Sequence, residues 1–124
     1  MSDKTINNKL RDIQDKKADV ELLQAAIGRQ SITGNEANFV EQLKEVMTAN
    51  GLKPNTADFL PGRPNIWGHR KGTEPGPNLM IVGHTDTVNV QGWSDAWDGQ
   101  PREDPFGAIK VDGEIWGRGA CDLK

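Results

Sequence analysis

This 124-residue sequence predicts an α/β fold, a mixed, largely parallel sheet flanked by helices, on three observations. Two amphipathic helical stretches come first, over residues 9–27 and about 35–50. Strand-like segments follow, giving the order helix, helix, strand, strand, strand. The last of these strands is carried by Leu79-Met80-Ile81-Val82, four apolar residues between Pro77 and Gly83. Such a run reads as a strand buried on both faces, which the centre of a parallel sheet requires.

The first helix places Leu10, Ile13, Val20, Leu23 and Ile27 on one side, with Lys16, Lys17, Asp19 and Glu21 largely elsewhere, so it should pack on a sheet face. Gly28 ends it. Thr33-Gly34-Asn35-Glu36 has the Thr-x-x-Glu spacing of a capping box ahead of the second helix. That helix carries the stripe Phe39, Val40, Leu43, Val46 and Met47, and Asn50-Gly51 supplies a left-handed terminus. Residues 52–59 and 65–69 read as strands about the turn Leu60-Pro61-Gly62-Arg63-Pro64. Residues 87–104 read as loop, and residues 108–110 and 114–116 as a hairpin around Val111-Asp112-Gly113.

Composition narrows the function. A net charge of −3 offers no basic footprint for nucleic acid. The polar first twenty residues lack a signal-peptide core, and no apolar stretch has membrane length. These features favour a cytoplasmic protein without a membrane partner. The single cysteine excludes an internal disulfide, in agreement with a reducing compartment.

Chemistry concentrates in two clusters. Gly83-His84-Thr85-Asp86-Thr87 follows the apolar run directly. Side chains two apart on extended backbone point the same way, so His84 and Asp86 can share a site. A neutral imidazole binds a transition metal through one nitrogen, and a nearby carboxylate can hold the other N–H or polarise water. The second cluster, Trp116-Gly117-Arg118-Gly119-Ala120-Cys121-Asp122-Leu123-Lys124, turns tightly at its glycines before a further acid. Taken singly, His84 reads as a hydrogen-bonded structural residue, Asp86 as a turn cap and Asp122 as a helix N-cap.

Together the clusters resemble metallopeptidase family twenty, the co-catalytic zinc amidohydrolases that include acetylornithine deacetylase, succinyl-diaminopimelate desuccinylase, aminoacylase and carboxypeptidase G. The family's ordered elements match GHTDTV at 83–88, Trp93 or Trp97, Asp104-Pro105-Phe106, Asp112-Gly113 and GRGACDLK at 117–124. Ser31, Gly34 and Glu36 match a weaker segment between its first two helices.

The resemblance implies a zinc-exopeptidase-like catalytic domain, of which residues 1–124 are the N-terminal portion, since the chain stops inside a motif. It implies two Zn2+ per complete site, with Co2+ able to replace them. His84 and Asp122 would be metal ligands, Asp122 bridging the ions, and Asp86 the catalytic acid that orients His84 or tunes the water. The bond after the bridging acid, Asp122-Leu123, would be cis. The reaction implied is hydrolysis of the amide of an N-acyl amino acid or small peptide. The general base and remaining ligands have no counterpart in these residues, so residues 1–124 alone are expected to be inactive. Family members are commonly homodimers, a state this portion does not reveal.

Other residues receive plainer readings. His69 matches no ligand, Cys121 reads as a small buried residue, and Arg118 as a loop-holding hydrogen-bond donor. The tryptophans and Phe106 read as packing. The rival reading is a non-catalytic module for nucleotides or other partners, built on Gly117-x-Gly119. It is weakened by Asp122, whose charge would repel a pyrophosphate.

Overall fold

The computed structural model describes residues 16–122 and Lys124. Its elements in order are α1 (Lys16–Ile27), α2 (Ala37–Ala49), β1 (Asn55–Leu60), β2 (Arg63–Trp67), α3 (Trp93–Trp97), β3 (Ile109–Val111) and β4 (Glu114–Trp116). Residues 9–15 of the expected first helix, with Leu10 and Ile13, lie outside the described residues, as does the Leu123 side of the expected cis bond. Among the described residues no helix is long and apolar enough to cross a membrane.

Helices and hairpins form where local signals asked for them. The α2 stripe turns Phe39 and Val40 into the interior, and Gly51 adopts φ +76° after the helix. β1 and β2 pair antiparallel across a turn in which Gly62 is left-handed and its N–H meets the Asp58 carboxylate at 3.0 Å. In the β3–β4 hairpin both turn residues, Asp112 and Gly113, have positive φ, as a type I′ turn requires. Residues 93–97, expected as loop, form the short helix α3 after a left-handed Gly92.

The largely parallel sheet does not form among the described residues. The two sheets are separate antiparallel pairs, and the parallel contact is a single bridge between Ile32 and Thr87. Residues 79–82 are not a strand and are 79–87% exposed. A central strand needs ladder partners along both edges and apolar layers on both faces. No strand among the described residues pairs with this run and no layer covers it, so it has neither.

The capping box does not form either. Glu36 makes no side-chain cap bond to its helix; its carboxylate accepts the Gly34 N–H at 2.8 Å and pairs with Arg63. That pairing holds the nearly buried carboxyl well below its ordinary value, from 4.5 to about 2.

The buried apolar side chains are Ala26, Ile27, Phe39, Val40 and Ala108. They lie at the end of α1, the start of α2 and the turn before β3, with Ser31 fully buried among them in sequence. α1 therefore ends against the segment that leads into β3, Gln24 donating to the Ala108 carbonyl at 2.6 Å, instead of packing on a sheet face. Lys124 fastens the far segment to the same place, donating to the Arg29 carbonyl at 2.7 Å and to the Ser31 hydroxyl while lying over the Phe39 ring. Burial pushes its pKa down to about 8.

Candidate metal centre

The site is assembled on the Ile32–Thr87 bridge. Thr87 N–H donates to the Ser31 carbonyl at 2.8 Å and Thr33 N–H to the Thr87 carbonyl at 3.0 Å, fixing the 84–87 segment beside the α1–α2 link. From the other side the 117–122 loop closes in. A Cβ at Gly117 would collide with the buried Ile27 side chain, and one at Gly119, whose φ is +90°, would lie 3.2 Å from Thr87 Cγ2. Only glycine allows that approach at a left-handed position. Asp122 is thereby delivered next to His84.

His84, Asp86 and Asp122 are brought together. His84 Nδ1 lies 2.8 Å from the Asp86 carbonyl oxygen and 3.3 Å from its Oδ1, while Nε2 lies 3.3 Å from Asp122 Oδ1. A carbonyl oxygen only accepts, so the proton of the neutral ring sits on Nδ1. The Nε2 lone pair then faces a carboxylate, an arrangement that asks for a cation between them. Without one the ring itself is drawn toward the charged form. The Asp86 carbonyl and then the Asp122 carboxylate raise its pKa above the ordinary value.

The spacing of His84 and Asp122 is compatible with two ligands of one zinc ion. Two ligands of one tetrahedral ion, each about 2.1 Å from it, stand roughly 3.4 Å apart, close to the observed His84–Asp122 separation of 3.3 Å. Asp86 faces the opposite edge of the ring, the place of an orienting partner and not of a ligand to the same ion. Among the described residues no group of three or more His, Cys, Asp or Glu side chains is arranged to hold an ion. A catalytic zinc typically needs three protein ligands plus water, so His84 and Asp122 alone would not complete such a set.

The three residues line an open cleft of about 550 Å³, with Trp93, Trp116 and Arg118 on its walls. Arg118 does not hold its loop by side-chain hydrogen bonds: the guanidinium lies 5.2 Å over Trp93, and its buried Nε has no hydrogen-bond partner among the described residues. Its backbone N–H donates to the Pro105 carbonyl at 2.6 Å. Cys121 is exposed, not buried, because the loop turns it to the open cleft. His69 is exposed and does not line the cleft.

Two contacts escaped the sequence reading. Thr33 Oγ1 donates to Asp86 Oδ2 at 2.7 Å, a role hidden by its membership of an apparent capping box. The Arg102 guanidinium lies over both Trp97 and Trp116, 4.6 and 4.2 Å from their ring centroids, and Trp93 Nε1 donates to the Arg102 carbonyl at 2.9 Å. The density of tryptophan beside arginine in residues 93–118 was the available signal for that cluster.

Comparison with known proteins places these motifs. No family model matches the chain. It is 36% identical over 105 residues to succinyl-diaminopimelate desuccinylase 2 of Alteromonas mediterranea, covering 85% of this chain and 26% of that protein. The succinyl-diaminopimelate desuccinylase of Maricaulis maris is 37% identical over 103 residues, covering 83% of this chain and 24% of the relative. That of Caulobacter sp. strain K31 is 39% identical over 105 residues, covering 85% and 25%. The chain thus spans about a quarter of the length of the curated relatives it matches. At 36–39% identity over 83–85% of its length, the chain is a relative of these succinyl-diaminopimelate desuccinylases of metallopeptidase family twenty.

Proposed function

We propose that this chain carries part of the metal-dependent catalytic domain of an amide hydrolase that cleaves N-acyl amino acids or small peptides. The observation that carries the reading is His84 Nε2 facing Asp122 Oδ1 while Nδ1 is held by Asp86. The relatives' naming as desuccinylases supports the amide-hydrolase class. When bound, zinc supplies Lewis acidity toward an amide carbonyl and toward water.

The chain's own residues prepare that centre. Asp86 keeps the His84 proton on Nδ1, leaving Nε2 as the donor, and its negative charge makes that nitrogen a stronger base. Asp122, 91% exposed at its side chain, has a second oxygen available beyond the one facing His84, as a bridge between two ions would need. Two such ligands do not complete a catalytic ion, and no general base is assigned among these residues. Residues 1–124 by themselves are therefore proposed to be inactive.

The test uses the full natural protein, assayed on N-succinyl-diaminopimelate and a panel of N-acyl amino acids, with zinc measured by competition against a chelator. His84→Ala and Asp122→Ala should each abolish metal-dependent turnover and weaken zinc binding. Turnover that survives complete chelation, or zinc affinity unmoved by both variants, would sink the proposal.

A further inference from the structure

We propose that Thr33 is a positioning residue of the metal centre: its hydroxyl holds the Asp86 carboxylate in the orientation that keeps His84 Nε2 turned toward Asp122. This rests on the reading of His84 as a metal ligand, and it adds to that reading a residue that touches neither ion nor substrate.

The hydroxyl has two acceptors in reach, Asp86 Oδ2 at 2.7 Å and the Thr87 carbonyl at 3.3 Å. It has one proton, and the shorter contact to a charged acceptor takes it. Oδ2 then accepts from Thr33, and Oδ1 lies 3.3 Å from His84 Nδ1, a charge contact beside the bond from that nitrogen to the Asp86 carbonyl. The Asp86 side chain is 39% exposed, so without the Thr33 bond water competes for it.

Thr33 is itself held firmly. Its N–H donates to the Thr87 carbonyl, and Thr87 N–H donates to Ser31, so the link cannot slide along the 84–87 segment without breaking both bonds. A β-branched side chain has few χ1 choices on such backbone. The hydroxyl is not used for helix capping, because α2 begins at Ala37 with Glu36 as its N-cap, three residues beyond Thr33. Restraint therefore passes from the Ile32–Thr87 bridge through Thr33 and Asp86 to the His84 ring.

Thr33→Val removes the hydroxyl and keeps the branched shape, while Thr33→Ser restores the hydroxyl. Both are made in the full natural protein, with two readouts: the zinc Kd by chelator competition, and the ring ¹⁵N resonances of His84 in metal-free protein. Thr33→Val should weaken zinc binding about tenfold, at the low end of what outer partners of metal ligands contribute, and Thr33→Ser should stay within about twofold of wild type. The His84 resonances should move or broaden in the valine variant and return in the serine variant. A valine variant with unmoved His84 resonances overturns the proposal, whatever its zinc affinity, and so does a serine variant as impaired as the valine one. If the wild-type protein binds no zinc, the metal reading fails separately, and the metal-free His84 spectra decide the positioning role by the same criterion.

Discussion

Arg63 Nη2 lies 2.5 Å from Glu36 Oε1, and its Nε lies 3.1 Å from each Glu36 oxygen, so one forked ion pair fastens the β1–β2 hairpin to the start of α2. The Glu36 side chain is 4% exposed and also holds the Gly34 N–H, so the link carrying Thr33 depends on the same carboxylate.

The first prediction is a pH dependence. The folded pKa of Glu36 is about 2 against an ordinary 4.5, chiefly because Arg63 donates to it. A carboxyl lowered on folding contributes stability that is present above its unfolded value and lost as pH falls through its folded one. Urea midpoints should therefore decline between about pH 4.5 and 2, and Glu36→Gln should flatten that decline. An equally steep decline in the glutamine variant would contradict it.

Arg102 is predicted to hold the 91–104 segment. Its guanidinium contacts Trp97 and Trp116, whose rings meet edge to face at 5.2 Å. Cation–π contacts contribute about 0.5–2 kcal/mol each depending on desolvation, so Arg102→Ala should cost about 1–3 kcal/mol and shift tryptophan emission to longer wavelength. Lysine in its place should recover only part, since the planar stacking is lost. An alanine variant of wild-type stability and emission would remove Arg102 from this role.

Gly119 is predicted to tolerate no side chain. At φ +90° a Cβ is strained, comes within 2.5 Å of the Lys124 side chain and meets Thr87 Cγ2 at 3.2 Å. Gly119→Ala should cost about 1–3 kcal/mol, the usual penalty for a non-glycine residue in such a conformation. Because the loop delivers Asp122, zinc affinity should fall with it, and calorimetric unfolding and zinc competition measured together check both parts.

The exposed run Leu79–Val82 is predicted to govern the behaviour of the isolated 124-residue chain. Four contiguous apolar side chains, each at least 79% exposed, form a patch that associates. Ile81→Asp should lower light scattering at matched concentration without shifting the unfolding midpoint, because surface substitutions away from packed features usually change stability by less than about 0.5 kcal/mol. In the full natural protein the same change should be destabilising if the run is covered there, since an unpaired buried charge is costly.

Much of the local structure was legible in the sequence because its causes are local. The Asn50-Gly51 terminus, the turn at Gly62 and the Asp112-Gly113 hairpin each depend on a backbone conformation that a few adjacent residues decide. His84 and Asp86 do meet, but through a local contact of the ring with the Asp86 carbonyl two residues on, not through side chains of a strand. The expected strand at 79–82 failed for the opposite reason. Apolar composition states that the run needs partners, and strand formation needs those partners to be present.

Thr33 and Glu36 mark the boundary most sharply. Their spacing satisfies a capping box, and their side chains have equally good local partners on paper. The competing partners, Asp86 for Thr33 and Arg63 for Glu36, lie 53 and 27 residues away in sequence and carry full charges. By itself the sequence pointed to the family, to α1 and α2, to the turns and to His84, Asp86 and Asp122 as neighbours, but not to α3. The tertiary structure alone decided which face of the His84 ring meets Asp86 and which meets Asp122, because ring orientation is set by hydrogen bonds converging from the α1–α2 link, the 84–87 segment and the 117–122 loop.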